Sequence, residues 1–151
     1  KIDNFAHTCE KAFLMVNIQS INSGDTFEFL FNYTDRVHSD FMDFSGDNSK
    51  IHTNLEFAKQ NGYKSVLGYA FALTAFLSKI YGTKFPGGNE LCLRQECNFR
   101  NPFFIGDKIT FRITVKSVNH ELKILELANS AVTDDGIIIF SGAALLKLSL
   151  S

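Results

Sequence analysis

The stretch SVLGYAFALTAFLSKIYG, residues 65–82, is apolar on nearly every side until Ser78 and Lys79. A helix that is hydrophobic all round has to be buried by the rest of its chain. The stretch is too short to cross a bilayer, which needs about 20 consecutive apolar residues. It therefore predicts one long helix at the centre of a domain.

Strands are predicted on both sides of this helix. Before it, aromatic residues at positions 27, 29, 31 and 33 fall on one side of a two-residue alternation with Glu28 and Asn32 opposite, which predicts a strand over residues 25–34. After it, the pattern indicates four strands separated by turn-forming residues, at 91–99, 108–118, 122–132 and 136–148. Short helices are expected at 35–44 and 55–60.

This order of elements predicts an α+β domain in which an antiparallel β-sheet wraps around the long helix. The chain shows no internal repeat, no low-complexity tract and only two prolines, so we expect no linker and no second domain. We assign residues 1–20 to an N-terminal extension and residues 21–151 to a single domain. Residues 1–14 have only weak helical spacing, and we expect them to be dispensable.

Composition excludes several classes of partner. The net charge is −1 and the basic residues are scattered, so there is no stripe for a nucleic-acid backbone. The three cysteines lack zinc-site spacing, and we expect neither a structural metal nor a disulfide framework. Cys92 and Cys97, five apart in a predicted strand, should point to opposite faces. The apolar run at 12–16 is too short for a signal peptide, so we expect a soluble, cytoplasmic protein with no membrane partner.

The candidate chemistry lies in FSGDNSKIHTNLEFA, residues 44–58, where Asp47 precedes His52 by five positions. Adding water across a double bond conjugated to a thioester needs a base, an acid and donors for the enolate oxygen. An ordinary Asp, with a pKa of about 3.9, is a poor base for water. We therefore expect Phe41, Phe44 and Phe57 to desolvate Asp47 and raise its pKa.

This stretch resembles the signature S-G-D-x-N-P-I-H-x-D-x-x-F-A of the MaoC-like dehydratase and (R)-specific enoyl-CoA hydratase family of the hot-dog superfamily. The resemblance extends to shorter matches at residues 24–33, 68, 85–87, 93–95, 99–102 and 106–110. It implies a hot-dog fold and a hydro-lyase that interconverts trans-2-enoyl and (R)-3-hydroxyacyl thioesters. The substrate would be carried by coenzyme A or an acyl carrier protein, with no cofactor.

The resemblance also implies roles for three residues. Asp47 and His52 would lie on either side of one water molecule, with Asp47 accepting its proton and His52 positioning it and relaying a proton. Gly68 matches the family glycine whose N–H binds the thioester carbonyl, a role that suits a helix N-terminus. Alternatively, Gly68 is a packing glycine, Asp47 caps a turn and His52 is a core histidine.

The side chains of the other polar residues are expected to be exposed to solvent. His38 is placed on a polar helix face and His120 in a turn, where each is expected to be a solvated surface group. Arg94 and Arg100 could meet a carrier phosphate, but an outward strand charge is more commonly a solvated face.

The chain departs from the family pattern in ways that keep other functions open. Ser49 and Lys50 replace the usual Asn-Pro, and Leu67 stands where His often precedes the glycine. The alternatives are a hot-dog thioesterase, in which a carboxylate activates water against the thioester carbonyl, and a non-catalytic acyl-thioester binding domain. In each case we expect a homodimer, because an exposed sheet edge needs pairing or cover.

Overall fold

The computed structural model describes residues 17–88 and 90–148. A 3₁₀ turn at Ile18–Ser20 is followed by strand β1 at Thr26–Asn32. Helices α1 to α4 come next, at Asp35–Ser45, Lys50–Thr53, Leu55–Gln60 and Ala70–Thr83. Strands β2 to β5 then follow, at Glu90–Phe99, Lys108–Asn119, Ile124–Thr133 and Ile138–Leu148. The prediction that residues 1–14 are dispensable lies outside the described residues.

The strands form one five-stranded sheet in the order β1-β3-β4-β5-β2, and each neighbouring pair is antiparallel. The first strand pairs non-locally with β3, in a register from Thr26 opposite Thr114 to Asn32 opposite Lys108. One face of the sheet covers α4. The predicted α+β arrangement of an antiparallel sheet around one long helix is therefore confirmed.

Helix α4 is buried on one face only. Leu73, Leu77 and Ile80 are almost inaccessible and belong to the same core cluster as Phe111 of β3. Phe71, near the start of the helix, is 66% exposed. The expectation of burial all round was therefore wrong for this single chain, because the sheet covers the helix from one side and leaves its other side open.

The 3₁₀ turn contributes to the core. Ile18 is 8% exposed and Ile21 is 1% exposed, and both belong to the main hydrophobic cluster. The side chain of Asn17 caps the turn by accepting from the N–H of Gln19 at 3.0 Å. Residues 17–20, assigned to the extension, thus include an apolar side chain that packs against the domain.

An irregularity in β2 changes where its cysteines point. The register shifts between Cys92, which lies opposite Leu146, and Arg94, which lies opposite Leu145. Cys97 lies opposite Gly142, so the partners of the two cysteines are an even number of residues apart on β5. Since side chains alternate along a strand, Cys92 and Cys97 share one face of the sheet. The prediction of opposite faces was wrong because of this bulge; both thiols are free.

Candidate active site

A cavity of about 430 Å³ lies where the α1–α2 loop, the start of α4 and the segment after β2 meet. Asp47 and His52 both line it, and so does Gly68. The three residues singled out from the sequence therefore border the same space. The remaining lining residues are Phe41, Tyr63, Leu67, Tyr69, Ala70, Phe71, Phe99, Arg100, Asn101, Pro102 and Phe103.

Asp47 follows Gly46, the residue that caps the C-terminus of α1 in the left-handed conformation with φ 71°. A glycine adopts that conformation without the steric cost that a Cβ would bring. The Oδ1 atom of Asp47 accepts a hydrogen bond of 3.1 Å from the N–H of Ser49. The turn thus presents the Asp47 carboxylate at the cavity edge.

The predicted desolvation of Asp47 is absent. Asp47 is exposed, Phe44 is 88% exposed and Phe57 is 37% exposed, so neither ring shields the carboxylate. Hydrogen bonds from the backbone and side chain of Ser49 hold the pKa of Asp47 below its usual value. The expected rise was wrong because the carboxylate stays exposed and accepts hydrogen bonds from Ser49, although Phe41 lines the same cavity, and Asp47 is ionised at neutral pH.

His52, on the short helix α2, has a defined tautomer when neutral. Its Nδ1 atom lies 2.8 Å from the carbonyl oxygen of Leu67. A carbonyl oxygen can only accept, so Nδ1 carries the hydrogen and the lone pair is on Nε2. The bond also ties α2 to the segment that leads into α4. His52 is therefore oriented for proton exchange through Nε2.

Tyr69, which the sequence reasoning missed, connects the two candidate catalytic residues. Its ring lies against the ring of His52, with centroids 4.1 Å apart. Its hydroxyl donates a hydrogen bond of 2.5 Å to the backbone carbonyl of Asp47. The available signal was a tyrosine directly after Gly68, at the start of an otherwise apolar helix.

His38 lies beneath the site and not in solvent. It is 7% exposed, and burial lowers its pKa below the usual 6.5. The assignment to a polar helix face was wrong because His38 shares the inner face of α1 with Phe41, one turn later. That spacing was visible in the sequence. By contrast, His120 is exposed in the turn after β3, as predicted.

Gly68 is enclosed by the segment after β2. Its N–H donates a hydrogen bond of 2.7 Å to the carbonyl oxygen of Phe103, and a Cβ at this position would overlap the Phe103 ring. These contacts describe a packing glycine, which is the alternative role that the sequence allowed. A role as thioester donor stays a prediction, and it would require this amide to exchange its present partner.

The first turn of α4 offers further donors. Within the described residues, the N–H groups of Ala70 and Phe71 have no hydrogen-bond partner. Both residues line the cavity. Free N–H groups at a helix N-terminus favour developing negative charge nearby.

The two arginines differ in position. Arg100 lines the cavity and donates through Nε to the Ser141 hydroxyl at 3.1 Å. Arg94 pairs with Glu96 at 3.5 Å on the surface. Over the two described ranges, no cluster of His, Cys, Asp or Glu is suited to hold a metal. Nor does this part of the chain contain a helix long and apolar enough to cross a membrane.

Comparison with known proteins agrees with this architecture. No protein-family model matches the chain. Its sequence is 26% identical over 108 residues to an (R)-specific enoyl-CoA hydratase of Aeromonas caviae, an alignment that covers 72% of this chain and 81% of the relative. It is 27% identical over 108 residues to a 3-hydroxybutyryl-CoA dehydratase of Methylorubrum extorquens, covering 72% and 68% of the two chains.

The fold is likewise similar to solved hydratase structures. The solved structure of an (R)-hydratase of Aeromonas caviae superposes with a TM-score of 0.81 at 24% identity, over 87% of this chain and 99% of that one. The predicted hot-dog fold is thereby confirmed. The chain is thus similar in sequence and in fold to proteins named as (R)-specific enoyl-CoA hydratases and MaoC-like dehydratases.

Proposed function

We propose that the protein catalyses the reversible addition of water to trans-2-enoyl thioesters, giving (R)-3-hydroxyacyl thioesters. The observation that carries this proposal is the meeting of Asp47 and His52 at one cavity, beside the N-terminus of α4. The sequence relatives support it, since their names describe hydration or dehydration of coenzyme A thioesters.

In the proposed mechanism, Asp47 and His52 hold one water molecule between them. Asp47, ionised at neutral pH, accepts a proton from the water while His52 positions that water through Nε2 and relays a proton. The hydroxyl adds to carbon 3, and the proton taken from the water is returned to carbon 2, so the double bond is consumed and both residues regain their starting protonation. Negative charge that develops on the thioester oxygen would be stabilised by N–H groups at the start of α4.

A second cavity offers space for the acyl chain. It has a volume of about 560 Å³ and is lined largely by apolar side chains, among them Val37, Phe41 and Phe76. Phe41 lines both cavities. We propose that the acyl chain extends past Phe41, while coenzyme A or an acyl carrier protein stays outside.

We also propose that two copies form a homodimer. β2 is an edge strand of the sheet, and its Leu91 and Leu93 are 62% and 48% exposed. Phe71 of α4 is 66% exposed and packs edge-on against Phe99 of β2 at 5.5 Å. A second copy would cover this apolar surface and the unpaired strand edge. Sedimentation that shows a stable monomer at micromolar concentration would contradict the dimer.

The catalytic proposal is tested by Asp47→Asn and His52→Ala, with hydration followed as loss of enoyl-thioester absorbance. Asn keeps the size of Asp but cannot accept a proton at neutral pH. Each variant should lose roughly 10²–10⁴-fold in kcat, which is typical of general acid–base assistance. The double variant should be little worse than either single one, because the residues act as a unit. An Asp47→Asn protein with wild-type turnover would refute the assignment.

Matched controls separate chemistry from folding. Asp43→Asn on the exposed side of α1 and His120→Ala in the β3–β4 turn make the same chemical changes away from the cavity. Both should keep wild-type turnover, and thermal unfolding should show all variants folded. Thiol release in place of hydration would indicate the thioesterase alternative. Binding of acyl thioesters without turnover would indicate the binding domain.

A further inference from the structure

A buried polar pair lies behind the candidate active site. Tyr33, just after β1, has no exposed surface, and His38 on α1 is 7% exposed. The Tyr33 hydroxyl and His38 Nδ1 are 3.0 Å apart. Burying polar groups costs free energy unless they are hydrogen-bonded, and apolar side chains could fill the same volume without that requirement. The polar atoms of Tyr33 and His38 therefore need further hydrogen-bond partners.

The partners of the pair are backbone atoms of the site. His38 Nε2 lies 2.9 Å from the carbonyl oxygen of His52. The Tyr33 hydroxyl accepts a hydrogen bond of 2.9 Å from the N–H of Tyr69. One end of the pair thus contacts α2 and the other contacts the residue directly before α4.

The chemistry of these partners sets the direction of every bond. The carbonyl of His52 can only accept, so His38 Nε2 carries a hydrogen. Burial lowers the pKa of His38, so the ring is neutral and Nδ1 accepts from the Tyr33 hydroxyl. Burial also raises the pKa of Tyr33 to about 12, which keeps that hydroxyl protonated. The bonds therefore run from Tyr69 N–H to Tyr33, from Tyr33 to His38, and from His38 to the His52 carbonyl.

We propose that Tyr33 and His38 are positioning residues for hydration, which fix the backbone of His52 relative to the start of α4. This inference rests on the proposed function. The segment that leads into α4 already bonds to α2 twice, through the His52 ring to the Leu67 carbonyl and through the Leu67 N–H to the Ile51 carbonyl at 3.1 Å, so the pair supplies a third connection. The pair is the connection that reaches the His52 backbone carbonyl itself, and together with the bond at Nδ1 it restricts both the location and the rotation of the imidazole. Reactivity depends steeply on such placement, and a displacement of about 1 Å can cost 10²-fold in rate.

The main test is Tyr33→Phe, which removes one oxygen atom and keeps the ring. We expect kcat to fall about tenfold with KM little changed, since the lost bonds orient the catalytic group and do not bind substrate. The matched control is Tyr81→Phe. Tyr81 is also buried, and its hydroxyl bonds to Gln95 and Asn129 away from the active-site cavity. The control should lower the melting temperature and leave kcat unchanged.

A double-mutant cycle distinguishes positioning from general stability. If Tyr33 acts through His52, adding Tyr33→Phe to His52→Ala should not reduce the residual turnover further. Tyr33→Phe should nevertheless lower the thermal stability of the wild type and of His52→Ala by the same amount. An equal loss of turnover in the two backgrounds would overturn the proposal. So would wild-type kcat in a folded Tyr33→Phe protein. If His52→Ala alone retained full turnover, the proposed function would fail instead, and the two failures are thereby distinguished.

Substitutions of His38 provide an independent test of the proposal. Gln can donate from its amide nitrogen and accept at its oxygen, so His38→Gln should keep most of the activity that His38→Leu loses. Ring ¹⁵N NMR provides a readout apart from turnover, with the His38 signal assigned by its loss in His38→Gln. The proposal requires neutral His38 to carry its hydrogen on Nε2; a hydrogen on Nδ1 would overturn it.

Discussion

The Tyr69 hydroxyl donates a 2.5 Å hydrogen bond to the backbone carbonyl oxygen of Asp47. The same ring packs on His52, so one side chain contacts both proposed catalytic residues. Tyr69→Phe should keep the ring contact and release the Asp47 turn. A hydrogen bond contributes about 0.5–1.5 kcal/mol, so we expect kcat to fall roughly two- to tenfold while the fold persists. Unchanged steady-state kinetics would show that the Asp47 turn holds its position without Tyr69.

Gly68→Ala should destabilise the protein, because the added methyl group would overlap the Phe103 ring. Overpacking of this kind typically costs about 1–3 kcal/mol, which thermal or denaturant unfolding would detect. Combining Gly68→Ala with Phe103→Leu should recover part of that loss. A single Gly68→Ala variant as stable as wild type would contradict the packing role.

Stability should depend on the protonation of His38. Its pKa is lowered by burial, an effect that the hydrogen bond to the His52 carbonyl and the nearby Asp35 carboxylate partly offset. The unfolded chain therefore binds a proton more readily than the folded one. The contribution of His38 is complete above its ordinary pKa of 6.5 and is lost as pH falls through the lower folded value.

Melting temperatures of wild type and His38→Gln, measured between about pH 5 and pH 8, would check this dependence on pH. The wild type should lose more stability on acidification than the variant. Parallel curves for the two proteins would show that His38 does not titrate differently on unfolding.

Phe41→Ala should broaden the range of acyl chains accepted. Phe41 borders both the active-site cavity and the larger apolar cavity, so its removal should join the two spaces. We expect kcat/KM for long-chain enoyl thioesters to rise relative to short-chain ones. A chain-length series measured by loss of enoyl absorbance would show this, and an unaltered preference would mean that the acyl chain takes another path. Asp43→Asn is a suitable control.

Periodic patterns predicted the strands and the central helix well, because β1 alternates over its whole length, β3 alternates as far as Val115, and α4 is apolar over several turns. Asp47 and His52 were found because both lie in one short segment. The burial of His38 could have been predicted from its spacing to Phe41, whereas its hydrogen bond to Tyr33, which lies outside α1, depends on the assembled fold. The state of Asp47 was mispredicted because nearness in sequence does not fix where Phe44 points.

Other features depend on contacts between distant residues. The bulge that places Cys92 and Cys97 on one face is an irregularity in the pairing with β5, and nothing in the local alternation marks it. The hydrogen bond from the Gly68 N–H goes to the carbonyl oxygen of Phe103, a residue of the segment after β2 that is distant in sequence. Such contacts are set by the assembled fold and not by local preference.

The pairing of β1 with β3 also has a consequence for folding. Asn32 lies opposite Lys108, so this pairing closes a chain loop that contains Tyr33, His38, Asp47, His52, Tyr69 and Phe103. Contacts between segments so distant in sequence carry a large loop-closure entropy, so they are expected to form late. The residues of the site are therefore brought together by the pairing of β1 with β3. Detachment of β1 from β3 would release all of these residues together. Recovery of turnover during refolding should follow the docking of β1 and not the earlier formation of the β3–β4–β5 hairpins.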